Sequence, residues 1–208
     1  MTNKQELTQL IGEENLRKKI EEKKTEFYNL INDNLAIKLI AKEEGIDSKT
    51  ILVLETIKNE KQKEYNCIDE KGYFTLVILE QKQELTPGRI YNLTAYKQEQ
   101  NNVRRTYSTK ILPRELQVTN TNLGGNRILI GIPKEVIVKE YKKCYKCTDK
   151  NCNHEKETKK RAIITINENR VIVFDYKEQN MKQQICFVGT EKQNALTGEM
   201  EIIAKKII

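Results

Sequence analysis

The chain has 208 residues, enough for one or two domains with substantial hydrophobic cores. No apolar stretch nears the roughly 18 residues a membrane span needs, and the start Met-Thr-Asn-Lys-Gln-Glu-Leu lacks the charged-then-apolar order of a signal peptide. A soluble, cytoplasmic protein with no membrane partner is therefore expected. The formal charge of +7 is unevenly spread: residues 1–48 hold eight Lys or Arg against ten Asp or Glu, a net of −2, and the rest of the chain carries +9.

Residues 1–48 read as a helical leader. Leu7, Leu10 and Ile11 form a short apolar edge, Gly12 interrupts it, and Leu16, Ile20, Phe27, Leu30 and Ile31 recur at helical spacing among charges. Asn32 and Asp33 supply cap chemistry for a further helix, Leu35 to Ala41, which Gly45 terminates. Its acidic surface suits a protein contact better than a polyanion.

From Lys49 the pattern changes to short β segments rich in branched and aromatic residues. Thr50 to Ile57, Tyr65 to Ile68, Tyr73 to Glu80, Ile90 to Lys97 and Thr106 to Leu112 give five strands, with turns at Asp69-Glu-Lys-Gly72 and Thr86-Pro87-Gly88. Five short strands in residues 49–118 suit a Greek-key barrel. The stretch from Pro113 to Asn126 is expected to be mobile or a long hairpin connection. A second β domain, residues 126–208, offers strands at Ile128 to Ile132, Glu135 to Tyr141, Ala162 to Asn167, Val171 to Tyr176, Gln184 to Gly189 and Met200 to Ala204. The fold class is thus mostly β with an N-terminal α-helical leader.

Between two strands of the second domain, Cys144-Tyr-Lys-Cys147-Thr-Asp-Lys-Asn-Cys152-Asn-His154 gathers three of the five cysteines and the single histidine. Thiolate and imidazole are the ligands of a tetrahedral zinc site, and Cys-x2-Cys lets two sulfurs from one turn reach a single ion. A structural zinc held by Cys144, Cys147, Cys152 and His154 is expected. A disulfide is the competing reading, and the absence of an apparent secretory segment argues against it. Cys67 and Cys186 are expected to be small buried residues. Lys139 to Arg161 carries nine basic and four acidic residues, +5 in all. Charge concentrated beside a rigid site attracts polyanions, nucleic acid above all; a merely solvated lysine-rich surface is the alternative.

Three stretches resemble archaeal replication protein A. Lys19-Ile-Glu-Glu-Lys-Lys-Thr-Glu-Phe-Tyr-Asn-Leu-Ile-Asn-Asp-Asn-Leu-Ala-Ile-Lys-Leu-Ile-Ala-Lys-Glu-Glu-Gly-Ile46 is similar to that family's helical leader, and Leu85-Thr-Pro-Gly88-Arg-Ile-Tyr-Asn-Leu-Thr-Ala-Tyr96 to a turn and strand entering the second half of a barrel. Val138-Lys-Glu-Tyr-Lys-Lys-Cys144-Tyr-Lys-Cys147 with Cys152-Asn-His154, then Val171-Ile-Val-Phe174, looks like the family's zinc-bearing C-terminal barrel, although the loop between ligand pairs is very short. The resemblance implies two oligonucleotide-binding (OB) barrels, the second with an inserted zinc loop. It also implies single-stranded DNA binding in replication, recombination and repair, with replication or repair proteins or other subunits as partners.

Single-strand binders combine a basic groove with aromatic faces on which bases stack. Alternation in Ile90 to Lys97 places Tyr91, Leu93 and Ala95 in the core and Tyr96 outside; in the preceding strand Phe74, Leu76 and Ile78 form the apolar row, assigned to the core, with Tyr73 opposite. Arg104, Arg105 and Tyr107 suit joint phosphate contact and stacking, or form a hairpin tip with no ligand. Phe174 and Tyr176 are read as sharing a face, with stacking or packing both open, and Lys142, Lys143 and Lys146 would lie near bound nucleic acid.

Catalysis finds little support. Four protein ligands leave zinc no open position for water, Lys156 stands where a zinc deaminase needs its glutamate, and no Gly-x-x-x-x-Gly-Lys run is present. Two further readings stay open: an RNA-binding barrel protein, since stacking platforms do not distinguish sugars, and a non-catalytic zinc-containing subunit of a replication assembly.

Overall fold

The computed structural model describes residues 4–57, 63–79, 84–95, 97–100, 105–144, 147 and 152–208, which fall into two compact units, Met1–Gln117 and Val118–Ile208. Among the described residues no helix is long and apolar enough to cross a membrane.

The first unit opens with three helices, α1 (Lys4–Ile11), α2 (Glu13–Glu26) and α3 (Asp33–Glu43). Gly12, at φ 85°, makes the break between α1 and α2. The Asn32 side chain caps α3 by accepting from the Leu35 N–H at 3.0 Å. At the other end Ile46 N–H donates to Ala41 O and Gly45 N–H to Lys42 O, a Schellman motif that needs the φ of 65° at Gly45. Leu7, Leu16, Ile20, Ala36, Ile37, Ile40, Ala41 and Ile46 form the core of this bundle. Phe27 and Leu30 do not continue the buried stripe of α2. That helix stops at Glu26, the chain turns through Tyr28 and Asn29 with φ of 52° and 59°, and Leu30 is left 86% exposed.

The strands that follow are β1 (Asp47–Ile57), β2 (Lys63–Asp69), β3 (Phe74–Leu79), β4 (Ile90–Ala95), β5 (Lys97–Gln100), β6 (Arg105–Thr109) and β7 (Arg114–Leu116). Strand β1 pairs antiparallel with both β2 and β4, β2 with β3, and β3 runs parallel to β6. Strand β6 pairs antiparallel with β5, which stands one residue from β4 in sequence. Taking β4 and β5 as the two halves of a fourth strand closes the circuit 1-2-3-5-4-1, the OB topology. A register shift between Val53 and Glu55 lets β1 bend as it passes around the barrel. Ile51, Val53, Tyr65, Cys67, Val77, Leu79, Leu85, Tyr91, Leu93 and Tyr107 fill the interior. Two core tyrosines satisfy their hydroxyls by accepting backbone N–H groups, Tyr65 from Leu85 at 3.1 Å and Tyr91 from Thr86 at 3.0 Å.

The face of β3 is the reverse of the expected one. Thr75, Val77 and Leu79 point inward, and Phe74 is 67% exposed. The segment Phe-Thr-Leu-Val-Ile-Leu is apolar on both faces, so its own pattern cannot choose. The register against β2 does, placing Thr75 opposite Cys67 and Val77 opposite Tyr65 on the buried side.

The second unit repeats the circuit. Its strands are β8 (Asn120–Leu123), β9 (Asn126–Gly131), β10 (Glu135–Lys143), β11 (Glu157–Ile166), β12 (Asn169–Phe174), β13 (Ile185–Gln193) and β14 (Met200–Ile207). Here the first barrel strand is divided at Ile132-Pro133-Lys134 into β9, which pairs with β13, and β10, which pairs with β11. Strand β11 pairs with β12, β12 runs parallel to β14, and β14 pairs with β13, again closing the OB order. Leu129, Ala162, Ile164, Ile166, Val171, Val173, Tyr176, Ile185, Phe187 and Ile202 form its core. At Gly189 a Cβ would come within 2.4 Å of the Ile203 carbonyl oxygen, so the bulge between β13 and β14 admits no side chain. The stretch expected to be mobile or a long hairpin connection contains β7 and β8, and its end is a hairpin. Gly124 and Gly125, at φ 55° and 75°, make a two-residue hairpin between β8 and β9.

Candidate functional site

Strands β10 and β11 form a ladder of nine residue pairs, from Glu135 opposite Thr165 to Lys143 opposite Glu157. Cys144 follows the last rung, and Cys147, Cys152 and His154 lie in the loop that joins the two strands. The four ligand atoms all lie within 4.8 Å of one another. Cys144 Sγ is 3.7 Å from Cys147 Sγ, and Cys147 Sγ is 3.5 Å from His154 Nδ1. Two thiolates on one tetrahedral zinc stand about 3.8 Å apart, and a thiolate and an imidazole nitrogen about 3.5 Å. The donor set therefore fits zinc in kind and in spacing, and the sulfurs are too far apart for a disulfide. Lys146 lies outside the described residues.

Beside this cluster the outer face of β10, β11 and β12 collects basic and aromatic side chains. Partners across an antiparallel ladder share a face, so Lys139, Arg161 and Phe174 form one row, and Tyr141 with Lys159 the next row toward the cysteines. The Tyr141 ring meets the Phe174 ring edge-on, with centroids 6.0 Å apart and planes at 82°. The Tyr141 hydroxyl donates to Asp175 Oδ1 at 3.1 Å, and Lys143 Nζ stands 3.7 Å from Asp175 Oδ2. Burial, helped by the Asp175 carboxylate, raises the Tyr141 phenol, so it stays protonated as a donor near neutral pH. Phe174 is 47% exposed, and Lys142 is exposed.

Of the residues singled out in the first barrel, Tyr96 and Arg104 lie outside the described residues. Tyr73 is 50% exposed, and the Arg105 guanidinium sits 3.9 Å over its ring. Arg105 also reaches Asp69 Oδ2 at 3.4 Å. Tyr107 is 1% exposed, so no base can stack on it. It pairs with Val77 across the parallel β3–β6 ladder, which turns the ring inward, and its hydroxyl donates to Asp69 Oδ2 at 3.4 Å. Burial raises this phenol as well. Tyr176 is likewise a core residue and does not share a face with Phe174. Strand β12 ends at Phe174, and the φ of 51° at Asp175 breaks the alternation between them.

Asp69 anchors the turn between β2 and β3. Its Oδ1 accepts the N–H groups of Lys71 and Tyr73, both at 2.9 Å, while its Oδ2 faces Arg105 and Tyr107. Asp69→Ala is expected to destabilise the first barrel by about 3 kcal/mol, the lower end for one partner of a buried pair, because Arg105 keeps some solvent contact. A urea titration followed by tyrosine fluorescence checks it; a midpoint unchanged from wild type would remove this carboxylate from the structural account.

The matching outer face of the first barrel is different in character. Its cross-strand rows bring together Glu55, Asn66 and Leu76, then Glu64 and Ile78, with no Lys or Arg among them. The first barrel's basic and aromatic pair, Arg105 over Tyr73, lies at the turn between β2 and β3, whereas in the second barrel cations and rings share the outer face of the strands themselves. Tyr141, Lys159, Arg161 and Lys139 escaped the sequence reading as individual site residues. Their signal was the alternation Lys139-Glu-Tyr141 and Lys159-Lys-Arg161 on either side of the cysteine run, which becomes a surface only once the register is known.

Fold and site together define a protein with a helical leader and two OB-type barrels, the second carrying a Cys3His cluster at metal-binding distance. No family model matches the chain, and no curated protein matches it in sequence. Among solved structures it is similar to one described as "Crystal structure of the tetrameric p202 HIN2", with 12% sequence identity and a TM-score of 0.27, over 78% of this chain and 93% of that one. The barrel assignment rests on strand order and pairing, not on this likeness.

Proposed function

We propose that this chain is a single-stranded DNA-binding protein of the replication protein A type, serving replication, recombination and repair in the cytoplasm. It binds its ligand without chemical turnover. The observation that carries the reading is the outer face of the second barrel, where Phe174 and Tyr141 offer ring surface between Lys139, Lys159 and Arg161. On an OB barrel this face, spanning the second and third strands, is where oligonucleotides lie. The rings stack on bases, and the cations meet phosphates. A structural zinc on Cys144, Cys147, Cys152 and His154 holds the neighbouring loop and presents Lys143, on the same face of β10 as Tyr141, beside the path of the strand, while Lys142 alternates to the other face. The helical leader, acidic at its surface, serves replication or repair partners.

Titration of a fluorescent single-stranded oligonucleotide tests this reading. Three to five phosphate contacts predict a log-log salt slope of about −2 to −3.5, hence about a 10- to 100-fold loss of affinity between 50 and 200 mM salt. Binding that is insensitive to salt, or as tight to duplex as to single strand, would overturn the reading. A matched RNA oligonucleotide in the same titration separates the sugars, and tighter binding to RNA would move the ligand to RNA.

A further inference from the structure

Strand β10 has one edge engaged and one edge open. Its nine residues pair with β11, and β10 stands at the end of the sheet order, with no second partner strand among the described residues. Natural sheets guard such an edge, because its unpaired N–H and C=O groups template another strand. Here the edge carries Ile137 and Val138, both exposed, between Lys134 and Glu135 on one side and Lys139 and Glu140 on the other. Among the described residues none of these four charged side chains has an ion-pair or hydrogen-bond partner.

The run Lys134-Glu-Val-Ile-Val-Lys-Glu140 is complementary to itself when read in the opposite direction. Antiparallel pairing about a two-fold axis at Ile137 sets Ile137 against its own copy and Val136 against Val138. Glu135 then meets Lys139, and Lys134 meets Glu140, each twice by symmetry. A two-fold axis normal to the sheet requires cross-strand partners on the same face, and all of these pairs satisfy it. Centring the axis on Lys139 or on Glu140 would put like charges opposite each other. We propose that β10 pairs edge to edge with β10 of a second copy of this chain in that register, forming a homodimer with a sheet continuous across the two second barrels. The proposal does not rest on the nucleic-acid reading. It places Ile137 and its symmetry mate at the centre of the joint and leaves Phe174 on the outer face of each copy.

The test uses the full chain and its mass in solution, measured by light scattering after gel filtration and by sedimentation equilibrium. Wild type is expected to dimerise, and a wild type that stays monomeric up to about 100 μM would overturn the proposal. Glu135→Lys and Lys139→Glu each set like charges across the joint and are expected to weaken dimerisation by about tenfold or more. Neither side chain is ion-paired or hydrogen-bonded among the described residues, Lys139 stands beside Arg161 across the ladder, and circular dichroism of each variant checks its fold. Mixing the two variants restores both ion pairs in a heterodimer, which isotope labelling of one partner identifies by mass. The double variant Glu135→Lys/Lys139→Glu restores the homodimer. Single variants that dimerise like wild type, or a mixture that remains monomeric, would place any dimer elsewhere and sink this interface.

Discussion

Stripping the metal from the Cys144–His154 cluster is expected to release the outer end of the β10–β11 hairpin while the first barrel keeps its own unfolding transition. The ladder runs to Lys143 opposite Glu157, and the four clustered donors lie beyond that rung. In small zinc domains the metal contributes about 10–16 kcal/mol to folding, because ligands that would otherwise repel or wander are fixed by it. The second barrel has its own core around Leu129, Ile164 and Phe187, so the loss should concentrate in residues 139–161. Native mass spectrometry is expected to show one zinc per chain. Hydrogen exchange after chelation should show faster exchange across that segment, and the thermal midpoint of the second barrel should fall. Cobalt substitution gives a separate view of the ligands: Cys152→Ser should weaken the thiolate charge-transfer band, and His154→Ala should alter the d–d bands with the thiolate band retained. A chain with no bound zinc, or exchange unchanged by chelation, would reduce the cluster to a coincidence of spacing.

The parts of this molecule legible in the sequence are those fixed by neighbours in the chain. The cysteine run showed its candidate donors because all four come from one short loop, and the break at Gly12 and the stop at Gly45 follow from local backbone chemistry. What the sequence hid depends on partners far along the chain. Tyr107 goes inward because β6 lies parallel to β3, a pairing that alternation within Arg-Thr-Tyr-Ser-Thr cannot reveal. Phe74 faces outward because Tyr65 and Cys67 claim the interior of β2 and fix the register. The row of Lys139, Arg161 and Phe174 joins three strands across thirty-five residues, so charge counting found the region but not the face. The stretch around Gly124 and Gly125 read as either mobile or a hairpin connection; two positive φ angles make it a hairpin with a two-residue turn.

Removing both rings from the second barrel's outer face is expected to produce the largest loss of ligand affinity. A base stacked on an aromatic side chain contributes about 1–3 kcal/mol, so Tyr141→Ala with Phe174→Ala should weaken binding of single-stranded DNA by about 100-fold or more. Phe174 is half exposed, so its truncation should leave the fold intact, which circular dichroism and the thermal midpoint check. Tyr141→Phe separates stacking from orientation. It keeps the ring against Phe174 but loses the hydroxyl's donation to Asp175, and only a few-fold loss is expected. Tyr73→Ala in the first barrel provides the contrast, because one face of that ring is already occupied by the Arg105 guanidinium. Tyr107→Phe should change stability through Asp69 and leave affinity per folded molecule unaltered. Affinity unmoved by the double substitution but abolished by Tyr73→Ala would put the binding surface on the first barrel. In that case the acidic rows of Glu55 and Glu64 would have to tolerate a phosphate backbone, which like-charge repulsion opposes. The paired rings of the second barrel, flanked by Lys159 and Arg161, meet no such conflict.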